Sequence, residues 1–413
     1  MKAQLLVIGG GIIGLACAVT LQRRGVQVLL LDAGDPGMGA SWGNAGHIAT
    51  EQVYPVADAS MLPRLPAMLL DPLGPLRIDW RYLPRMLPWG WQALRNMLPA
   101  NARRSHQALL AINAYSLAAW KDFAQRWQLL PWLKTLGTVQ TCEKPQTCAR
   151  LKALGQTLNA LGVRNRWLEA GALREMEPAL NEAQLGGLYY PDTAHISDLR
   201  AISRGLVKAL QDMGGQVWAH RRVTHAVPDG AGAFRIITDA GEVAAEQVLL
   251  TAGAFSKPLA HALTGVSVPL DTERGYHLML PAETGRLQLP VSSADRRFVM
   301  TPMDAGLRLA GTVEYAGLDL PPDMRRARNL LPLANGLVRM PLDARDASEW
   351  MGFRPTTADS LPVIDRVGKV MLAFGHHHLG LTQAASTAAC VEALHFGETP
   401  PFALEPFSLK RFT

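Results

Sequence analysis

Three glycines and one acid near the start of the chain have the types and spacing needed to bind a dinucleotide. Gly9, Gly11 and Gly14 stand in GxGxxG order, and Asp32 follows eighteen positions after the last glycine. A pyrophosphate binds at a helix N-terminus, where free N–H groups and the helix dipole favour an anion and side chains would block its approach. An acid at position 32 can hydrogen-bond both ribose hydroxyls and repels a 2′-phosphate, which argues against an NADP-type cofactor. These four residues predict a site for FAD or NAD.

The residues around these glycines predict the strand, helix and second strand that such a site requires. Residues 5–8 form a short apolar run typical of a buried parallel strand, and a helix is predicted after it, ending at Gly25. Residues 26–31 form a second apolar run that leads to Asp32. This context makes the motif more specific than a glycine-rich turn alone.

The length and composition indicate a globular protein of two domains. The chain has 413 residues, of which 48% are hydrophobic and 18% charged. Its formal charge of +6 comes from scattered basic residues, so no nucleic acid partner is expected, whereas an anionic substrate or an anionic lipid surface is compatible with it. No apolar run is long enough to span a membrane, so we expect a cytoplasmic protein that is soluble or peripheral on the inner face of the cell membrane.

The four cysteines give no sign of a metal site. Cys17, Cys142, Cys148 and Cys390 show neither CxxC spacing nor histidines at zinc intervals. We interpret them as reduced, mostly buried thiols, which favours a cytosolic compartment. Because their number is even, disulfide pairing is left open.

Residues 53–100 differ in composition from the rest of the chain. They are rich in Pro, Leu, Met and Trp and are interrupted by arginines at positions 64, 77, 81, 85 and 95. The prolines predict several short amphipathic pieces rather than one helix. Such a segment can lie on a membrane interface, dock a partner or form an interdomain lid, and we favour the lid because an apolar segment of this kind is more often buried.

The remaining patterns suggest that a first domain is interrupted and later resumed. Helices are predicted over residues 102–128, 198–213 and 324–340, and antiparallel strands over 268–313. Strands predicted at 242–245 and 246–251 bring the chain back to the pattern of a parallel sheet. Residues 370–397 again read as a strand, a glycine loop and a helix.

Six dispersed motifs resemble the D-amino acid oxidase (DAO) family of FAD-dependent oxidoreductases, and most of all its D-amino acid dehydrogenase small-subunit branch. They are GGGIIG with Asp32, SWGNAGHI at 41–48, TAGAFS at 251–256, RGY at 274–276, GFRPTTADSLPVID at 352–365 and GHHHLGLTQA at 375–384. The resemblance implies an α/β (α+β two-domain) fold, in which a Rossmann-type FAD-binding domain carries an inserted antiparallel-sheet substrate domain. The expected FAD-binding domain comprises 1–60, 194–256 and 346–413, and the substrate-binding domain comprises 61–193 and 257–345.

The resemblance also implies FAD as the cofactor, bound non-covalently because no residue matches the family's covalent attachment points. The first glycines would hold the ADP half, residues 41–46 would pass the phosphates and the flavin, and residues 375–382 would face the isoalloxazine ring. The complete set of implied cofactor contacts is Gly9, Gly11, Ile12, Ile13, Gly14, Asp32, Ala33, Ser41, Trp42, Gly43, Asn44, Ala45, Gly46, His47, Ile48, Val223, Thr251, Ala252, Gly253, Gly352, Arg354, Gly375, His376, His378, Leu379, Gly380, Leu381 and Thr382.

For the substrate, the resemblance implies that Arg354 grips a carboxylate, since a guanidinium fixes a planar anion with two hydrogen bonds. Tyr276 and His376 are the other candidate catalytic residues, and no metal is expected because consecutive histidines in a loop diverge. The implied reaction is hydride transfer from Cα of a D-amino acid to the flavin, with a cyclic substrate such as D-proline or 4-hydroxy-D-proline among the candidates. Electrons would pass to a quinone or another carrier. The alternatives are a glycine- or sarcosine-type oxidase that uses O₂ and a non-catalytic flavoprotein subunit.

Overall fold

The computed structural model describes residues 2–56, 74, 76–230 and 232–413. Part of the segment 53–100, including position 64, lies outside the described residues. No helix in the described ranges is long and apolar enough to cross a bilayer.

The strands build two large sheets and one small one. In chain order they are β1 (Lys2–Ile8), β2 (Val28–Leu31), β3 (His47–Ile48), β4 (Leu76–Ile78), β5 (Leu133–Lys134), β6 (Thr138–Cys142), β7 (Arg166–Glu169), β8 (Gly186–Tyr190), β9 (Ala194–Ile196), β10 (Gln216–Trp218), β11 (Val223–Pro228), β12 (Phe234–Thr238), β13 (Gly241–Leu250), β14 (Leu270–Leu280), β15 (Val291–Ser293), β16 (Phe298–Met303), β17 (Gly306–Tyr315), β18 (Ser348–Thr357), β19 (Val363–Val367) and β20 (Val370–Phe374).

The α-helices of the described residues are α1 (Ile12–Arg23), α2 (Leu83–Asn96), α3 (Pro99–Arg126), α4 (Pro145–Ala160), α5 (Ala170–Met176), α6 (Leu199–Asp212), α7 (Ser256–Thr264), α8 (Arg325–Arg328), α9 (Leu330–Asn335) and α10 (Ala384–Phe396). The single helix predicted over 324–340 is therefore wrong. Asn329 ends α8 and also begins α9, so the segment forms two short helices.

The first sheet has a parallel centre, as the apolar runs predict. Its strand order is β10-β2-β1-β13-β12-β11, and β20 pairs in parallel with the second half of β13. Strand β13 is one continuous strand, whereas the sequence predicted two, because its first half pairs with β12 and its second half with β20. Helix α1 is buried along almost its whole length and packs between this sheet and α10.

The second sheet is mainly antiparallel, with strand order β18-β14-β17-β16-β15-β6-β8-β7. Its register places Glu273 opposite Arg354, Gly275 opposite Gly352 and His277 opposite Trp350. Because residues that face each other across a ladder lie on the same face, these six side-chain positions share one face of the sheet. The predicted α/β architecture with a Rossmann-type sheet is confirmed. The domain boundaries stay a prediction, and β18, which the prediction assigned to the FAD-binding domain, pairs within the second sheet.

Two of the cysteines are paired, which corrects their interpretation as reduced thiols. Cys142 at the end of β6 and Cys148 in the first turns of α4 form a disulfide, with their Cα atoms 5.5 Å apart. Cys17 and Cys390 are free and buried, as predicted. A spacing of six residues matches no cysteine motif. The two sulfurs meet only because α4 packs back toward the end of β6. Only two of the four cysteines are therefore free thiols that support a cytosolic compartment.

Candidate active site

One cavity of 1420 Å³ joins the two sheets. On the first sheet it is lined by the residues that follow the carboxyl ends of β1, β2, β13 and β20. On the second sheet it is lined by residues of β14 and β18. A cavity at the carboxyl ends of parallel strands is where open α/β sheets bind their ligands.

The glycine turn between β1 and α1 is built so that no side chain fits inside it. A Cβ on Gly14 would lie 2.0 Å from the carbonyl oxygen of Gly9, and a Cβ on Gly9 would lie 2.6 Å from that of Thr251. Gly9 also has φ +105°, which favours glycine. Gly11 stands at the N-cap of α1 and leaves the end of the helix open to the cavity. This turn can therefore hold a pyrophosphate.

Asp32 organises the same turn from the end of β2. Its carboxylate accepts hydrogen bonds from the N–H groups of Gly10 at 2.6 Å and Gly34 at 2.8 Å. Burial raises the pKa of Asp32, and the two N–H groups oppose that shift. Each carboxylate oxygen keeps a second acceptor position, so Asp32 can still receive ribose hydroxyls. Ser41 Oγ accepts from the N–H of Ile12 at 2.9 Å and so ties the glycine-rich loop to the helix start.

Arg308 of β17 shapes the glycine-rich loop from the second sheet, a role that the sequence analysis missed. Its guanidinium donates to the carbonyl oxygens of Trp42 at 2.8 Å and Asn44 at 2.6 Å. Burial lowers the pKa of Arg308 to about 10, which leaves it charged at neutral pH. A buried arginine bonded to the carbonyl oxygens of residues 42 and 44 fixes the path of this loop along the cavity.

Trp350 was also missed, although it sits between two glycines that were predicted to contact the cofactor. A Cβ on Gly43 would lie 2.1 Å from the Trp350 ring, and a Cβ on Gly352 would lie 2.0 Å from it. The ring stacks on His277, with centroids 5.0 Å apart. Trp350 alternates with Gly352 and Arg354 along one strand, so all three lie on the same face. This alternation could have identified Trp350 as a residue of the site.

Arg354 lies on the wall of the cavity, as the resemblance implies. Its Nη1 donates to the carbonyl oxygen of Thr312 at 3.2 Å, and among the described residues it has no ion pair within 4 Å. Burial lowers the pKa of Arg354, while nearby Glu273 raises it. The neighbouring strand makes room for it, because a Cβ on Gly275 would lie 2.4 Å from the guanidinium carbon. The space left by Gly275 is what allows the arginine to lie flat against the sheet.

Tyr276 contributes to the cavity wall, but the structure does not bring its hydroxyl to Arg354. It stands opposite Met351 in the ladder, on the face that alternates with the Arg354 face. Its hydroxyl donates to Glu314 Oε2 at 2.5 Å and accepts from the N–H of Asp323 at 3.2 Å. Burial and the bond to Glu314 raise the pKa of Tyr276. The alternation of side chains along a strand predicts this difference, since Tyr276 is adjacent to Gly275 in the chain and therefore points to the opposite face.

The three consecutive histidines diverge. His376 is buried, and its Nε2 lies 3.0 Å from Thr387 Oγ1 in α10, so its polar atom is directed into the first domain rather than toward Arg354. His377 bonds to strand β18. His378 Nε2 donates to Gln52 Oε1 at 2.5 Å across the cavity wall. Burial lowers the pKa of both His376 and His378 to about 3, so both are neutral. No cluster of metal-ligating side chains occurs within the described ranges.

Glu51 is a further buried acid on this wall that the sequence analysis did not identify. Its side chain and that of His47 are each 10% exposed, with Glu51 Oε2 3.7 Å from His47 Nε2. Burial raises the pKa of Glu51 to about 7 and lowers that of His47 to about 4. At neutral pH His47 is therefore uncharged and Glu51 is only partly ionised, in a part of the cavity with little access to water.

Most of the implied cofactor contacts line this one cavity. They are Gly9, Gly11, Ile12, Ile13, Asp32, Ala33, Ser41, Gly43, Asn44, Ala45, His47, Val223, Thr251, Ala252, Gly253, Gly352, Arg354, Gly375, His376, His378, Gly380 and Leu381. The others, Gly14, Trp42, Gly46, Ile48, Leu379 and Thr382, stand behind the wall. Thr382, for example, accepts the N–H of Ala49 at 2.9 Å and holds the histidine loop against the strand β3 region.

A Rossmann-type sheet whose cavity continues to a half-buried arginine on an antiparallel sheet is the arrangement of a dinucleotide-dependent oxidoreductase. The model of the family "DAO: FAD dependent oxidoreductase" matches residues 4–394. The chain belongs to this family.

Relatives along the full length agree with this assignment. The chain is 33% identical to a D-amino-acid oxidase of Bradyrhizobium diazoefficiens, with 98% of each chain covered. It is 30% identical to D-amino acid dehydrogenase 2 of Pseudomonas aeruginosa, with 97% of this chain and 96% of the relative covered. The structure of glycine oxidase from Geobacillus kaustophilus has the same fold, with a TM-score of 0.77 at 22% identity, covering 100% of this chain and 99% of that one.

The cofactor of this family fits the site. FAD needs an open helix N-terminus for its pyrophosphate, and the glycine turn leaves a cradle that a Cβ on Gly9 or Gly14 would fill. It also needs a long cavity, and 1420 Å³ exceeds the size of ordinary small-molecule pockets. The residues from Gly9 to Asp32 would hold its ADP half, and those of the loop at 375–381 would lie by the flavin.

Proposed function

We propose that this protein oxidises a D-amino acid in an FAD-dependent reaction. The observation that carries the proposal is Arg354, a half-buried guanidinium on the cavity wall that uses one N–H on a backbone carbonyl and has no ion-pair partner among the described residues. An unpaired charge is costly to bury, so such a group indicates an anionic ligand. The carboxylate of an amino acid matches its fork of N–H donors.

The chain's own residues supply binding, orientation and exclusion of water. Arg354 would fix the carboxylate in one plane, and the space over Gly275 determines where that plane lies. His378 and Gln52 lie on the same cavity wall and are bonded to each other, so they can limit the space beside the substrate. Bound FAD supplies the acceptor for the hydride that leaves Cα. We assign no substrate contact to the hydroxyl of Tyr276 or to the imidazole of His376, since both are bonded elsewhere.

The product depends on the class of amine. A primary D-amino acid gives an imino acid that hydrolyses to a 2-oxo acid and ammonia. A cyclic amine such as D-proline or 4-hydroxy-D-proline gives a pyrroline carboxylate. The names of the two full-length relatives support D-stereochemistry.

For the electron acceptor we propose a quinone or another carrier. The Pseudomonas aeruginosa relative, named a dehydrogenase, supports this acceptor, whereas the Bradyrhizobium diazoefficiens relative, named an oxidase, supports O₂. Oxygen is therefore the second candidate. A non-catalytic flavoprotein subunit is the weaker account, because it would have no use for a carboxylate-binding arginine on the cavity wall.

Anaerobic bleaching of the flavin tests these assignments. The purified yellow protein is mixed without oxygen with D- and L-amino acids, including both enantiomers of proline, and air is then admitted. We expect a D-amino acid to bleach the flavin and the colour to return slowly in air and rapidly with a quinone. Rapid return in air with peroxide would identify an oxidase. If no amino acid bleaches the flavin, the proposal fails.

Arg354→Met is the matched control for this experiment. It should keep the oxidised flavin spectrum and lose bleaching at the substrate concentrations that bleach the parent protein. Equal bleaching of both proteins would show that Arg354 does not hold the substrate.

A further inference from the structure

Helix α2 presents an apolar surface to solvent. The side chains that form it, named here the α2 surface, are Trp80 (68% exposed), Leu87 (61%), Trp91 (65%), Leu94 (48%) and Leu98 (58%). Positions 87, 91 and 94 follow helical spacing within α2 and form one stripe, with Trp80 before the helix and Leu98 after it. Soluble proteins rarely expose a contiguous group of large apolar side chains unless it binds something.

The opposite side of α2 is anchored to the second sheet, so this surface is a fixed part of the fold. Trp89 and Ala93 are buried in a cluster with Tyr315. The Trp89 indole Nε1 donates to the carbonyl oxygen of Thr356 in β18 at 3.1 Å. The inner face of α2 is thus packed in the way expected for a lid, and its outer face is left without cover from the described residues.

The stretch of chain that carries the α2 surface is basic. Residues 80–121 contain five arginines, one lysine and no acid, so this stretch carries six formal positive charges, as many as the net charge of the whole chain. Arg81 is paired with Asp79 at 2.7 Å, and Arg85 approaches Asp319 at 3.8 Å. Arg95 is exposed and has no side-chain hydrogen bond or ion pair among the described residues.

A polar cleft of 230 Å³ opens beside this surface, between α2, α3 and the C-terminus. Arg95 and Arg104 face it from the two helices. Its other charged residues, Arg411 and Asp359, neutralise each other in a buried pair at 2.7 Å, so the two helix arginines are its excess charge. The remaining polar lining consists of amides, which suit a phosphate group. The lining amides are Gln92, Asn96 and Asn101.

We propose that the α2 surface and the adjoining cleft dock the protein onto a bilayer that contains anionic phospholipid. Exposed tryptophans and leucines bind at the level of the headgroups, where an indole has both apolar and polar surroundings. Arginines beside them attract anionic lipid, and the cleft between Arg95 and Arg104 receives a lipid phosphate. A second protein could cover the apolar stripe, but it would not account for the cleft beside it, in which Arg95 and Arg104 have no ion-pair partner among the described residues.

Vesicle flotation of the flavin-containing protein tests this docking. Vesicles of phosphatidylcholine alone are compared with vesicles that also contain phosphatidylglycerol. One variant, Leu87→Gln with Trp91→Gln, removes apolar side chains while keeping a good helix former. A second variant, Arg95→Gln with Arg104→Gln, removes the charge of the cleft. Flavin content and bleaching by substrate verify that both variants fold.

Two control variants replace exposed apolar side chains and exposed arginines elsewhere on the surface. Leu136→Gln with Met340→Gln replaces side chains that are 52% and 65% exposed, and Arg126→Gln with Arg204→Gln removes two exposed charges. We expect the parent and both controls to float with the anionic vesicles. Binding should fall about thirtyfold in the Arg95/Arg104 variant, since each basic residue near an anionic surface contributes about a factor of five. It should fall at least about tenfold in the Leu87/Trp91 variant.

Several outcomes would overturn the proposal. One is that the parent protein fails to float with anionic vesicles. Another is that the arginine control loses as much binding as the Arg95/Arg104 variant, which would indicate attraction by net charge alone. A third is that light scattering shows the parent to be an oligomer that the Leu87/Trp91 variant dissociates, since the α2 surface would then bind a second copy of this chain.

Discussion

The two ends of the cavity are built in different ways. The nucleotide end comes from residues 9–41, and backbone contacts such as the Gly10 N–H to Asp32 hold it together. The substrate end comes from β14 and β18, which lie about seventy residues apart in the chain, and it depends on the register that places Gly275 beside Arg354. In a tight local turn the backbone restricts which residue types can stand there. In a site formed by paired strands the side chains can be replaced without changing the fold. The residues of the nucleotide end are therefore fixed by the cofactor, whereas those of the substrate end can vary with the substrate.

The largest effect should follow from adding a side chain at the nucleotide end. Gly14→Ala places a Cβ 2.0 Å from the carbonyl oxygen of Gly9, and backbone cannot yield cheaply. We expect the protein to be purified without flavin, as measured by its visible absorbance. Gly34→Ala is the control, because its Cβ would meet nothing closer than 3.9 Å and the yellow colour should remain. A yellow Gly14→Ala protein would contradict the rigidity of this end.

At the substrate end, removing the guanidinium should cost activity and leave the cofactor in place. Arg354→Met should lower kcat/KM by about a thousandfold, since a buried partner of a charged ligand contributes several kcal/mol. Steady-state kinetics with the best substrate measures this change, and the flavin spectrum should be unaltered. Arg354→Lys should recover only part of the loss, because an ammonium cannot make the paired hydrogen bonds. If kcat/KM is unchanged in Arg354→Met, this arginine does not bind the substrate and the distinction between the two ends of the cavity fails.

Glu51 provides a test based on pH. Its pKa is raised from 4.5 to about 7 by burial, so the folded protein binds a proton that the unfolded chain has released. The contribution of Glu51 to stability is therefore greatest below about pH 4.5 and is lost as pH rises through about 7. Glu51→Gln should remove this contribution, so the difference in the free energy of unfolding between parent and variant should change by roughly 3 kcal/mol across this range. Urea unfolding across this pH range measures it. The exposed Glu175→Gln should keep the pH dependence of the parent protein, and an unchanged pH dependence in Glu51→Gln would refute the assignment.

Filling the space beside Arg354 should have a more moderate effect. In Gly275→Ala the new Cβ would lie 2.4 Å from the guanidinium carbon, and that flexible end can move aside. We expect the flavin to be retained and kcat/KM to fall about a hundredfold, because a shift of about 1 Å misplaces the substrate. Adding Gly275→Ala to Arg354→Met should cause little further loss. Additive losses would mean that Gly275 acts independently of the arginine.

The smallest effect concerns the disulfide between the end of β6 and helix α4. Cys142→Ser with Cys148→Ser opens a loop of six residues, so we expect a loss of about 2 kcal/mol in the free energy of unfolding. Denaturant titration of the flavin-containing protein measures the loss. A reductant should produce the same loss in the parent protein and none in the variant. A reductant effect that persists in the variant would have to arise elsewhere.

The two ends of the cavity also differ in how far they could be predicted from the sequence. The Gly9 to Asp32 unit was predictable because its strand, turn, helix and acid are consecutive. Arg354 could be assigned only through the family resemblance, since nothing near it in the chain reveals Gly275 as its neighbour. Tyr276 is adjacent to Gly275 on β14 but lies on the face away from Arg354. The alternation of side chains along a strand would have shown this difference.

The other omissions have the same cause. Arg308 and Trp350 act on a glycine-rich loop that lies some three hundred residues before Trp350, and no local pattern connects them. The pairing of Cys142 with Cys148 depends on where α4 begins relative to β6. Contacts of this kind are set by the packing of elements, and a single sequence does not contain that information in any one stretch.

The pairing of β13 also determines when the cofactor site can form during protein synthesis. Strand β1 at the N-terminus has β13, residues 241–250, as one of its two neighbours, and β13 in turn pairs with β20, residues 370–374. At about 5–20 residues per second, roughly 10–50 seconds pass between the synthesis of β1 and that of β13. The glycine turn is therefore synthesised long before β20, the strand that completes the pairing of β13.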